Sequence, residues 1–260
     1  MALIALASAK GSPGVTTTAT ALAAYWPAPC LLVEADLTGG SLIGGWYAGS
    51  LELDRSLSQV AFDKARNPQA RLALDQNAIA LSATTPDKAV LPGFASGAHA
   101  TAMTPFWGEL AHELAALQAS GRDAIIDLGR LRLPRDEREA LLQQVDLLLL
   151  VTTTDLPMAL ATIDLATHLS RQIGSSRLSP LGLLTKGPAK RMRTKTLAER
   201  AGIPHLGRIP DDPVRAEPIT YGTQQPCGFD RSEYVTVLVE TAKTLHTRAI
   251  EHRSNLTPTL

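Results

Sequence analysis

The sequence predicts a doubly wound α/β fold, a mainly parallel sheet with helices on both faces. Three observations lead there. Short apolar runs alternate with amphipathic stretches along most of the chain, the pattern of strands separated by covering helices. The runs are continuous rather than alternating, as strands buried on both faces are. The first of them passes through a glycine-containing loop straight into an alanine-rich helical stretch. With 260 residues, 45% of them hydrophobic, the chain is long enough for one large α/β domain, expected over residues 1–250.

Strands are expected at 3–7, 30–33, 79–82, 124–128, 147–151, 181–184 and 205–209. The first helix, 17–25, ends before Pro27. A second, 106–119, places Leu110, Leu114 and Leu117 on one face and stops at Ser120 and Gly121. A third, 156–173, follows Asp155 as N-cap with Pro157 in its first turn, and Gly174 stops it. Further helices are expected at 189–201 and from about 232 to 251, the latter carrying Val235, Val239, Ala242 and Leu245 at helical spacing. Residues 86–104 hold two prolines and two glycines without a clear period and are read as a long surface loop. The polar stretch 251–260 is expected to be a disordered tail.

Composition excludes several classes. Net charge is zero, so nothing draws the whole chain to nucleic acid or anionic lipid, and such binding would have to be local. The longest apolar run, 147–151, is far short of the ~20 residues that span a bilayer, and no membrane insertion is expected. The six histidines are scattered, and Cys30 and Cys227 have neither metal nor redox spacing. No basic region precedes the first apolar stretch, so a reduced, cytoplasmic protein is expected.

Residues 9–18, AKGSPGVTTT, carry the strongest functional signal. A strand, a glycine-containing loop and a helix N-terminus form an anion site, because backbone N–H groups and the positive helix end converge. The phosphate-loop pattern G-x-x-x-x-G-K-[ST] adds a lysine for the phosphates and a hydroxyl for Mg²⁺. Thr16 keeps the hydroxyl, Val15 stands where the lysine belongs, and Lys10 places a positive charge in the first turn. The strand at 31–37 ends in Glu34 and Asp36, two residues apart and so on one side. In a doubly wound sheet the carboxyl ends of strands face the ligand crevice. Asp123 to Gly129 repeats that form: apolar residues, then Asp127, able to hold Mg²⁺ through water. Arg130 and Arg132, just beyond, offer charge to compensate for Val15, guanidinium being suited to phosphate oxygens. Lys186, Lys190, Arg191, Arg193 and Lys195 form the one local basic cluster, a candidate contact for non-specific DNA or an acidic partner.

The motifs resemble those of the ParA/MinD partitioning ATPases. Their deviant loop, K-G-G-x-G-K-[ST]-T, is matched at Lys10, Gly11, Gly14, Thr16 and Thr17, with Ser12 in place of a glycine and Val15 in place of the main lysine. Glu34 and Asp36 resemble the family's D-x-D, and residues 38–42, TGGSL, resemble the switch that follows it. Asp123 to Leu128 resembles a Walker B strand, departing from the family where 128–132 reads LGRLR. Residues 202–213, GIPHLGRIPDDP, resemble the segment whose backbone lies against adenine. Thr185 and Lys186 fit the start of a guanine-reading [NT]-K-x-D, but Pro188 has no acceptor side chain, so guanine is disfavoured.

The resemblance implies an ATP–Mg²⁺ site. Lys10, Gly11, Ser12, Pro13, Gly14, Val15, Thr16 and Thr17 would form its phosphate side, and Thr185, Pro210 and Asp211 its base side. Thr16 and Asp127 would hold the metal, with Glu34 near it or its water shell. Asp36 would orient the attacking water, and Lys10 would reach the phosphates of its own or a partner subunit. It implies a nucleotide-dependent homodimer that positions, partitions or assembles a cargo with an unknown protein partner, with weak or partner-dependent hydrolysis because Val15 replaces the lysine. The alternative is a pseudo-ATPase scaffold that localises a pilus or secretion apparatus. A ligase of the dethiobiotin synthetase kind shares the loop type, but no substrate-carboxylate motif supports it. The chain end does not resemble the basic amphipathic membrane helix of some members.

Overall fold

Apolar continuity builds the strands, and polar residues at their carboxyl ends extend several of them. The structure, a computed structural model, describes residues 2–11, 13–50, 54–82, 84–117, 121–173 and 180–256. The elements run β1 (Leu3–Ser8), α1 (Val15–Ala24), β2 (Cys30–Glu34), α2 (Leu57–Arg66), α3 (Leu74–Asn77), β3 (Ile79–Ser82), β4 (Thr85–Leu91), α4 (Gly97–Ala102) and α5 (Thr104–Ala116). They continue through β5 (Asp123–Arg130), α6 (Glu139–Leu142), β6 (Leu147–Thr152), α7 (Leu156–Ile173), β7 (Leu181–Lys186), α8 (Thr194–Ala201), β8 (His205–Ile209), α9 (Pro213–Tyr221) and α10 (Glu233–Leu256).

The strands form one sheet in the order β3-β4-β2-β5-β1-β6-β7-β8. Neighbours are parallel, except for the antiparallel pair β3 and β4. The doubly wound expectation therefore holds. β5 lies between β1 and β2, while β6 lies on the other side of β1, so the chain order reverses beside β1. At such a switch point the crevice opens beyond the carboxyl ends of the strands.

Strand alternation divides the core in two. Leu3, Ala5, Leu31, Val33 and Ile126 face one layer, and Ile4, Leu6, Leu32 and Ile125 face the other. The first layer is closed by α2, α5, α7 and α8, the second by α1, α9 and α10. Beneath α5, Phe94, Phe106 and Trp107 meet edge to face with ring centroids 5.5, 5.6 and 5.9 Å apart, a favoured aromatic geometry.

Three expectations are corrected. Residues 86–104 are not a loop: they hold most of β4 and all of α4. Asp87 and Lys88 disguise the strand, since the Lys88 ammonium is buried by donating to the Ala28 carbonyl at 2.6 Å and pairing with Asp87 at 2.6 Å. Ser96 caps α4, its hydroxyl accepting from the His99 amide. The last helix does not give way to a disordered tail at 251 but continues to Leu256. Arg253 pairs with Asp146 at 3.2 Å, so these polar residues are a solvated, anchored helix end; residues 257–260 lie outside the described residues. Finally, α8 begins at Thr194 rather than 189, leaving Lys190, Arg191 and Arg193 in the connection from β7.

Candidate functional site

The loop after β1 meets α1 at the centre of the sheet. Gly14 is the N-cap, in the left-handed region at φ 82°, and no side chain caps the first turn of α1, which also lacks acidic residues. Its leading amides and the positive helix end are left for an anion. Lys10 and Gly11 are exposed and Pro13 is buried; Ser12 lies outside the described residues. Val15 is 5% exposed and packs into the apolar layer under α1, so this position contributes to the core instead of reaching a ligand. The Thr17 hydroxyl is 3.0 Å from that of Thr220 and ties α1 to α9.

Asp127 stands at the heart of the site. It is fully buried and pairs in register with Glu34 of β2 and Leu6 of β1. Its Oδ1 accepts from the Gly129 amide at 2.8 Å. Its Oδ2 is buried without a hydrogen-bond partner among the described residues, although the Thr16 side chain is near enough to draw the carboxyl down. Burial pushes this carboxyl up to about 7, with Glu34 and Asp36 adding like charge against Thr16 and the Gly129 amide. An orphaned buried carboxylate oxygen beside a threonine hydroxyl, crowded by other acids, fits a divalent cation.

Glu34 does something else. It is 1% exposed. Its Oε1 accepts from the amides of Ser41 at 2.5 Å and Leu42 at 3.0 Å and from the Ser41 hydroxyl at 3.0 Å. Its Oε2 accepts from the Gly93 amide at 2.9 Å. Burial pushes its carboxyl up and these donors oppose the shift. The longer side chain carries both oxygens to the backbone of the 39–42 turn and the Gly93 loop, and Glu34 latches the two together. Asp36 points elsewhere. Its Oδ1 accepts from the Thr38 amide at 2.8 Å and hydroxyl at 2.9 Å, and its carboxylate lies against Gly129.

A residue that the sequence did not mark organises this end of the sheet. The Arg138 guanidinium is fully buried. It donates to the carbonyls of Ala35 at 2.7 Å, Leu128 at 2.5 Å and Arg130 at 3.0 Å, tying the exits of β2 and β5 together. Asp136 receives its Nε at 2.7 Å and Nη2 at 2.8 Å. Burial raises the Asp136 carboxyl, but the hydrogen bonds and charge of Arg138, with the amides of Arg132 and Arg138, together hold the group below its ordinary range. Only the short spacing within 135–138, RDER, hinted at this pair. Arg130 is exposed and Arg132 pairs with Glu137 at 3.1 Å. Both line a cavity of about 550 Å³ with Ala9, Asp36 and Thr38.

On the expected base side, Thr185 is 1% exposed and its hydroxyl lies 3.0 Å from His205 Nε2, so it is turned toward β8. Pro210 is half-buried and Asp211 exposed. Gly187, at φ 73°, packs so tightly that a Cβ there would stand 3.0 Å from Asp211 Cβ. Lys190, Arg191, Arg193 and Lys195 are all exposed at the carboxyl end of β7, on the loop's side of the sheet, with Lys195 4.0 Å from Glu199.

The parallel sheet, with a glycine-containing loop at its switch point and a buried acid on the neighbouring strand, has the architecture of the phosphate-loop folds. Within that class the chain has the fold of the ParA/MinD ATPases. No protein-family model matches the sequence, and no curated protein matches it significantly. Solved structures do. A ParA family ATPase from Chlorobium tepidum TLS is 18% identical over 93% of this chain and 98% of its own, with a TM-score of 0.73. The septum site-determining protein MinD from Pyrococcus horikoshii OT3, complexed with Mg-ADP, is 21% identical over 96% and 98%, with a TM-score of 0.69. An McdA variant from Cyanothece, in complex with ATP, is 16% identical over 95% and 96%, with a TM-score of 0.68. Among the described residues no helix is long and apolar enough to cross a membrane.

Proposed function

We propose that the chain is an ATP–Mg²⁺-binding switch of the ParA/MinD kind, used to position or partition a cargo, with slow or partner-dependent hydrolysis. The buried, unpartnered Asp127 Oδ2 beside Thr16, facing an uncapped helix N-terminus, carries this reading. Thr16 and Asp127 would hold Mg²⁺, which would offset phosphate charge there. The leading amides of α1 bind phosphate oxygens, with Lys10 supplying charge from its own or a partner subunit. Asp36, held by Thr38, orients the attacking water from the cavity shared with Arg130 and Arg132. Face-to-face dimerisation on ATP is part of the proposal, and Lys190, Arg191, Arg193 and Lys195 are its surface for DNA backbone or an acidic partner. One solved neighbour is complexed with Mg-ADP and another with ATP, which supports the choice of nucleotide.

Titration calorimetry with ATP and Mg²⁺, followed by phosphate release, tests it; absence of heat at millimolar nucleotide sinks it. A second reading, a pseudo-ATPase scaffold localising a pilus or secretion apparatus through protein contacts, is favoured by Val15 in the core and Glu34 in a latch. Binding with no turnover under any partner condition selects that reading.

A further inference from the structure

The sequence leaves the loop short of one positive charge and nominates Arg130 and Arg132 to replace it, but the structure sets a different cation against the loop. Lys186 ends β7, two strands from β1 in the sheet. Its side chain lies across Gly14: a Cβ on that glycine would meet Lys186 Nζ at 3.3 Å and Cδ at 3.8 Å. The nearest acid, Asp211, holds the ammonium loosely, with Oδ1 3.9 Å away, beyond hydrogen-bond reach. The side chain is 26% exposed, so it is neither sealed in the core nor freely solvated.

That placement is electrostatically unfavourable in isolation. The ammonium sits over the N-cap of α1, whose helix end is already positive and whose first turn has neither an acidic residue nor a side-chain cap. Cations are disfavoured there and anions favoured. An anion seated on the leading amides of α1 would reverse the sign of the arrangement, giving the ammonium a partner for its three donors. Val15 cannot supply this charge, and Arg132 is engaged with Glu137.

We infer that Lys186 is a second phosphate-binding cation of this loop beside Lys10, reaching from β7 to the polyphosphate of a nucleoside triphosphate in place of a lysine at position 15. The inference rests on the reading of the loop as a nucleotide site, and its test separates the two. Wild type, Lys186→Met and Lys186→Arg are titrated with MgATP and with inorganic tripolyphosphate, each at two salt concentrations, after melting curves establish folding.

Lys186→Met is expected to weaken both ligands about tenfold or more, as loss of a charged hydrogen-bond donor does. The salt dependence should become shallower, and Lys186→Arg should stay within about threefold of wild type. If wild type binds neither ligand, the nucleotide reading itself fails. If wild type binds and Lys186→Met binds equally well, the nucleotide reading stands and the assignment of Lys186 is overturned. It is also overturned if Lys186→Met weakens MgATP but not tripolyphosphate, which would place the lysine on the base or ribose. Should the variants not fold, acetylation of wild-type lysines with and without tripolyphosphate decides: Lys186 must be protected, and unchanged labelling overturns the inference.

Discussion

The Asp36 carboxylate rests on the α-carbon of Gly129, so that a Cβ at that position would stand 1.9 Å from Asp36 Oδ2. The exit of β5 thereby sets where the acid at the exit of β2 can be, and Gly129, at φ 57°, is the residue that admits it.

Gly129→Ala is therefore expected to displace Asp36 and to strain a left-handed backbone position, costing about 1–3 kcal/mol. Urea denaturation measures the stability and phosphate release the activity. Asp36→Ala is expected to abolish release with stability within about 0.5 kcal/mol of wild type. Equal activity in wild type and both variants would remove Asp36 from the chemistry.

Glu34→Asp shortens the latch by one methylene. The amides of Ser41, Leu42 and Gly93 then lose their acceptor, at a cost of about 2–4 kcal/mol. Hydrogen exchange should accelerate at these three amides while those of β1 keep their protection, and an unchanged exchange map would contradict the latch.

The Asp136–Arg138 pair gives a pH dependence. The Asp136 carboxyl is depressed from its ordinary 3.8 by Arg138 despite burial. Its contribution is thus present above that value and lost as pH falls through the lower, folded one. Asp136→Asn should flatten the acid limb of stability below about pH 4. At neutral pH the same variant strands a buried guanidinium and should lose about 3–5 kcal/mol. Melting temperature against pH checks both.

If Asp127 with Thr16 holds Mg²⁺, chelation should weaken ATP binding to wild type, and Asp127→Asn should bind ATP equally with and without the metal. A Mg²⁺ effect that survives Asp127→Asn would place the cation elsewhere. The comparison needs only thermal shifts in ATP with magnesium or with EDTA.

How far the sequence showed this in advance follows from the range of each interaction. Continuous apolar runs marked the central strands because burial on both faces depends on local composition. Residues 9–18 announced the loop because glycine at 14 and hydroxyl at 16 are local requirements. β4 was hidden because Lys88 is satisfied by a carbonyl 60 positions away in sequence. The reach of Arg138 was hidden for the same reason, since its carbonyl acceptors lie at the exits of β2 and β5. Glu34 was legible as an acid at a strand end, but its hydrogen bonds to the backbone of Gly93 and the 39–42 turn depend on where the fold brings those segments. Lys186 read as one of five clustered cations until β7 took its place two strands from the loop.

The strand order has a consequence for how the chain comes into being. β1 and β2, which bear the loop and the two acids, never touch as neighbours; β5 must be inserted between them. During synthesis β2 can pair with β4 once residue 91 is made, but β1 waits, with Ile4 and Leu6 lacking a partner strand, until residue 130 has emerged. Long-range parallel pairing of this kind is slow and leaves apolar edges open. The halves of the candidate site are thus brought together by the last-made strand of the three, and the site is complete only when Asp127 arrives.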